Sequence, residues 1–196
     1  MTPSPSPSPS TDGVPSVGAV VEEFQRALRR GAPPPSGDLL GLLLELHRNN
    51  LDQWQREDMT RVPDADDATV AAAKRDIDAL NATRHGLVEA VDAALAAAIE
   101  QEPSATPLTE TPAMVFDRLS VLAIRIHFTE RAARAAGSDG ESYTARLPLL
   151  QHQLTIVRQA LEALFEDVRS GRKRFLPYQS LKLYGAPGTP EGRTPP

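Results

Sequence analysis

Cysteine is absent from the 196-residue chain, which rules out disulfides, thiolate metal sites and a cysteine nucleophile. That composition suits a reducing compartment, and a soluble, cytoplasmic protein is expected. Aromatic residues are scarce, at 5%, too few for a set of base-stacking platforms. Positive charge is not in excess. Lys and Arg number 21 against 26 Asp and Glu, a formal net charge of −5, which argues against a nucleic-acid partner. No apolar run approaches the roughly 18 residues of a membrane span, so no membrane partner is expected. Met1–Ser10 lacks the basic and apolar regions of a secretory signal. The P-loop, the dinucleotide GxGxxG, the GxSxG elbow and HExxH are missing too, and no cofactor is assigned.

What the chain does contain is helix pattern between Pro-rich ends. Residues 1–14 are a Pro/Ser low-complexity stretch and residues 185–196 are Pro/Gly-rich. Neither has apolar surface to bury, so both are expected to be disordered tails around a helical domain over residues 15–184. Ser16 is a suitable N-cap for a first helix, Val17–Arg30, and Gly31 its stop; Val17, Val20, Val21, Phe24 and Leu28 form one apolar stripe. A second helix is expected after Ser36, running to about Arg61 before Pro63. A third covers about Asp67 to Gln101, capped by Asp64 or Asp66. Thr111-Pro112 opens a fourth, which Gly137 closes. A fifth covers about Glu141–Ser170; Pro148 either starts it or kinks it, and Gly171 ends it. No strand pattern stands out. The expected fold is all-α, an antiparallel bundle of about five helices with disordered Pro-rich tails.

Polar residues on inward helix faces mark the candidate site. On a 100°-per-residue wheel of the second helix, His47 shares an arc with four leucines and then with Asn50, Trp54, Glu57, Asp58 and Arg61. Asn49, Asp52, Gln53 and Arg56 fall opposite. Burying the first group would desolvate several charges, which is costly unless they are paired or line a polar cavity. Trp54 is expected to be mostly buried beside this cluster. In the third helix, Asn81 and Arg84 fall within the apolar arc, and Lys74, Asp78, His85 and Asp92 at its margin. The fourth helix is apolar nearly all round, as a central helix should be. Asp117, Arg118 and Arg125 interrupt it, with Arg118 and Arg125 stacked on one face. Two guanidinium groups there require carboxylates or a bound anion beside them, and Glu110 offers a carboxylate near the helix start. Glu89 and Asp92 have the ExxD spacing that can hold Mg²⁺, but no metal site is assigned on that alone.

Three segments combine into a wider pattern: HRNNLDQWQREDMTR from His47, KRDIDALNATRHGLVEAVD from Lys74 and ETPAMVFDRLSVLAIRIH from Glu110. Over roughly Leu46 to Tyr184 the chain resembles the bacterial family known as domain of unknown function 4254. It has Arg125 where that family tends to have lysine, and Tyr184-Gly185 where Tyr-Asn is usual. The resemblance implies an all-α fold and groups the same polar residues; it implies no activity.

The leading expectation is a polar interior pocket for a small anionic metabolite, carboxylated or phosphorylated. Arg84, Arg118 and Arg125 would neutralise it, and Asn50 and Asn81 would orient it. Arg61, Lys74, Asp78, Glu110 and Asp117 complete the candidate binding set. Glu57 or Asp58 would act as general acid or base, with His47 the alternative. Two other readings stay open. One is an Mg²⁺-dependent helical nucleotide pyrophosphatase using Glu57, Asp58, Glu89 and Asp92. The other is a non-catalytic interaction module whose charges form structural salt bridges.

Overall fold

The structure, a computed structural model, describes residues 13–34, 36–61, 66–135, 137, 140–177 and 179. The expected tails at residues 1–12 and 185–196, together with Tyr184-Gly185, lie outside the described residues. Helix α1 is Val17–Arg30, α2 Leu39–Met59, α3 Asp67–Ala98, α4 Pro112–Ala135, α5 Gly140–Thr144 and α6 Leu147–Arg169. The fold is an all-α bundle of five long helices, with α5 a single short turn.

Local chemistry explains most helix ends. The Ser16 hydroxyl accepts the Ala19 N–H, and Gly31 leaves α1 at φ 85°. Asp38 caps α2: its carboxylate accepts the Gly41 N–H at 2.8 Å and the Ser36 hydroxyl at 2.7 Å. Those contacts hold the Asp38 carboxyl below the usual carboxylate range, the Ser36 hydrogen bond being the larger cause. Asp66 caps α3 through the Thr69 N–H. The proline alternatives resolve as a start. Pro148 sits in the first turn of α6, where its missing N–H costs nothing, and α5 is a separate element before it.

Helix α4 is central, in contact with α1, α2, α3, α5 and α6, and α2 lies along α3. The core joins Phe24 of α1, Leu43 of α2, Leu95 of α3, Phe116 and Leu119 of α4, and Leu161 and Phe165 of α6. Its lower limit is set earlier than expected: Val14, placed in the tail by composition, is 2% exposed and belongs to the core. At the other end Phe175, beyond α6, is 1% exposed. It is held by a short parallel ladder, β1 Thr106–Pro107 with β2 Lys173–Arg174, which no sequence pattern announced. The Phe175 N–H donates to Gln101 Oε1 at 2.8 Å and Arg174 Nε to the Ala105 carbonyl at 3.0 Å, tying the segment after α6 to the one after α3.

Candidate functional site

Five polar residues of α2, α3 and α4 form one connected network. His47 is 1% exposed, stacked on Phe24 with ring centroids 4.5 Å apart, and its Nδ1 shares a 2.8 Å hydrogen bond with Ser120 Oγ. Burial pushes its pKa down to about 4, with the Phe24 backbone acting in the opposite sense. Asn50 donates from Nδ2 to Ser120 Oγ at 3.1 Å and to Asp117 Oδ1 at 2.8 Å. Asp117 in turn receives the Arg84 guanidinium as a fork, Nε lying 2.9 Å and 3.1 Å from its two oxygens and Nη2 bonding Oδ2. The chain His47–Ser120–Asn50–Asp117–Arg84 thus runs from the core to the surface. The Arg84–Asp117 pairing matters most, because a lone buried charge is expensive, while His47 Nε2 and Asn50 Oδ1 have no hydrogen-bond partner among the described residues.

Ser120 is the junction of this network and is fully buried, yet sequence reasoning passed over it. Its only signal was a small polar residue inside an otherwise apolar helix, in the Asp117-Arg118-Leu119-Ser120 run. Asn49 was also misjudged. The wheel placed it opposite the buried arc, but it is 5% exposed and donates to the Leu80 carbonyl at 3.2 Å. Helix α2 is covered on that side too, by α3, so a single inward arc does not describe it.

The other candidates separate. Glu57, Asp58 and Arg61 cluster at the end of α2 and not beside His47; Arg61 lies 3.5 Å from Glu57 and 3.6 Å from Asp58, with all three side chains substantially exposed. Lys74 and Asp78 pair with each other on the exposed flank of α3. The Asn81 carbonyl accepts a hydrogen bond from the His85 ring at 2.5 Å. Trp54 is half-buried and stacks on Phe128 at 5.6 Å; its indole N–H has no acceptor among the described residues. Asp92, expected at a helix margin, is fully buried and accepts the Ala113 N–H at 3.1 Å, capping α4 from another helix. Among the described residues no three His, Asp or Glu side chains are placed to hold a metal ion.

Arg118 and Arg125 lie on one face of α4, as expected, but that face is open. The first four turns of this central helix are covered by its neighbours except along this strip. There a groove of about 600 Å³ runs between α3, α4 and α6, walled by Arg84, Asp117, Arg118, Val121, Arg125 and Gln153. Arg118 pairs with Glu110, both about half-exposed. Arg125 has no ion-pair partner among the described residues. A second groove, of about 650 Å³, lies between α2, α4 and the α5 region, beside Trp54 and Phe128. A third depression, between α2 and α3, is bordered by the exposed Arg56–Asp76 pair and holds none of the expected site residues.

Fold and site together define an all-α bundle with a hydrogen-bonded polar spine and an arginine-lined groove at its outer end. A family model described as "Protein of unknown function (DUF4254)" matches residues 40–176, most of the chain, and the protein belongs to that family. Comparison with curated proteins and with solved structures gives no match.

Proposed function

We propose that the groove between α3, α4 and α6 binds a small anionic molecule, carboxylated or phosphorylated. The observation that supports this most directly is the convergence of Arg84, Arg118 and Arg125 on one groove, with Arg125 lacking an ion-pair partner among the described residues. Guanidinium groups present paired N–H donors to carboxylate and phosphate oxygens, and two helices set their spacing here. The inner network then has a positioning role. Asn50 orients Asp117, which engages Arg84 Nε and Nη2, so the remaining guanidinium N–H groups are fixed at the groove wall before any ligand arrives.

This is a reading of binding more than of turnover. His47 is stowed in the core, and Glu57 and Asp58 stand at the end of α2 with Arg61. Asp117, the one carboxylate on the groove wall among the described residues, is already engaged by Arg84 and Asn50. We place the protein in the cytoplasm, where such metabolites are abundant; no helix among the described residues is long and apolar enough to cross a membrane.

Denaturant melts in phosphate or citrate test the proposal. A ligand that binds only the native state raises the midpoint by mass action, adding about 2.7 kcal/mol of stability at a hundred times its Kd. Wild type is expected to gain stability. Arg118→Met and Arg125→Met are expected to lose that gain while changing the ligand-free stability by no more than about 0.5 kcal/mol, as exposed side chains do. Absence of any anion effect on wild type overturns the reading.

A further inference from the structure

The second groove carries a different chemistry, independent of the first. Three of the chain's scarce aromatic residues meet there: Trp54 of α2, Phe128 of α4 and Tyr143 of α5. Trp54 and Phe128 are stacked 12° from parallel with ring centroids 5.6 Å apart, an offset pair that lines the groove and that neither the core nor the polar spine uses. Three guanidinium groups stand around it: Arg61, Arg131 and Arg146. Arg131 lies over the Phe128 ring at 5.6 Å and Arg146 over Tyr143 at 5.5 Å. Only Asp58, among the described residues, brings a carboxylate to these walls, and it stands 3.6 Å from Arg61. Arg131 and Arg146 thus rest on ring faces and keep their N–H donors for something else. The neighbourhood is positive beyond the groove itself. His127, next to Phe128 in the chain, has its pKa lowered first by burial and then by Arg131, with Arg134 and Arg29 adding to it and Glu130 opposing.

We infer that this groove binds a planar ring bearing a phosphate, such as an aryl or nucleoside monophosphate. The ring would pack against the offset Trp54–Phe128 pair, at its edge or on the Trp54 ring, because Arg131 already lies over Phe128. The phosphate would take donors from Arg131 and Arg146, whose planar forks match its oxygens. Aromatic scarcity in the chain as a whole argues against a run of stacked bases, and a single aromatic pair serves a single ring. The groove volume of about 650 Å³ accommodates a ligand of that size.

Trp54 is the single tryptophan, so its emission reports on this groove alone. Phenyl phosphate and adenosine monophosphate are titrated into the full chain, followed by tryptophan fluorescence and by calorimetry. Saturable quenching is expected with both. Phenol and inorganic phosphate, each with half of the recognition, are expected to bind at least tenfold more weakly. Arg131→Met and Arg146→Met are each expected to weaken phenyl phosphate fivefold or more while the melting temperature stays close to wild type. Arg125→Met, in the other groove, is expected to retain the quenching, which separates this site from the anion groove. The inference is overturned if neither phosphate quenches saturably, if phenol binds as tightly as phenyl phosphate, or if both arginine variants bind like wild type.

Discussion

A histidine ring stripped of water takes up a proton reluctantly. His47 titrates near pH 4 in the folded protein, against 6.5 for an ordinary histidine. As pH falls, the unfolded chain therefore binds this proton first. Stability is complete above pH 6.5 and declines as pH drops to about 4, by roughly 3 kcal/mol from this ring. His47→Leu removes the titration, so its melting temperature should fall less steeply than that of wild type between pH 6.5 and 4.5. Parallel curves would show that the ring is protonated in the native state. Asp117 is the other decisive residue of the spine. Asp117→Ala strands the Arg84 guanidinium and removes one of the two acceptors of the buried Asn50 amide. The expected loss is about 2–3 kcal/mol, less than for a wholly buried pair because the Arg84 side chain remains 31% exposed. Asp117→Asn keeps an acceptor for both and should lose less; urea denaturation gives the comparison.

Two glycines of opposite character test how the helices are seated. Gly41, in the first turn of α2, faces the linker before it: a Cβ there would lie 1.7 Å from the Ser36 carbonyl oxygen. Helix propensity alone favours alanine over glycine by about 1 kcal/mol. An overlap with backbone outweighs that, because a carbonyl cannot swing aside as a side-chain tip can. Gly41→Ala should therefore destabilise by at least about 1 kcal/mol. Gly86, within α3, has no atom within 4 Å of the same added carbon. Gly86→Ala should stabilise by up to about 1 kcal/mol, the propensity gain unopposed. Thermal melts of the two variants should move in opposite directions; a shift of the same sign in both would mean that the Ser36 contact does not constrain α2.

The molecule is organised around α4, which is sheltered by five neighbouring helices and yet contributes residues to both grooves. Its buried faces carry Phe116, Leu119, Ser120 and Ile124. Its open strip carries the arginines. A net charge of −5 therefore conceals two locally positive grooves, which whole-chain composition cannot register. The extent of the domain is a property of the same scale. Val14 precedes α1 but is buried, and complete burial of a valine contributes about 1.5–3 kcal/mol. A chain that starts at residue 15 should be less stable than one that starts at residue 13 by about 1.5 kcal/mol. Equal melting temperatures would place Val14 outside the cooperative unit.

Information carried within a few residues was legible from the amino-acid order. Ser16 and Gly31 delimit α1, Pro112 marks the start of α4, and Val17, Val20, Val21 and Phe24 form the buried stripe they were expected to form. Caps, proline geometry and 3.6-residue spacing act over one or two turns, so sequence alone determines them. It also grouped His47, Asn50, Asp117 and Arg84, which meet, but added Glu57, Asp58, Lys74 and Asp78, which do not join them. Helical periodicity gives the angle between two residues of one helix, not the number of neighbours that helix will have. Tertiary packing decided that α2 is covered on the Asn49 side as well, that Asp92 caps a different helix, and that α4 stays open along Arg118 and Arg125. Those outcomes depend on contacts between residues far apart in the chain, where the burial of one face is settled by whichever helix arrives to cover it.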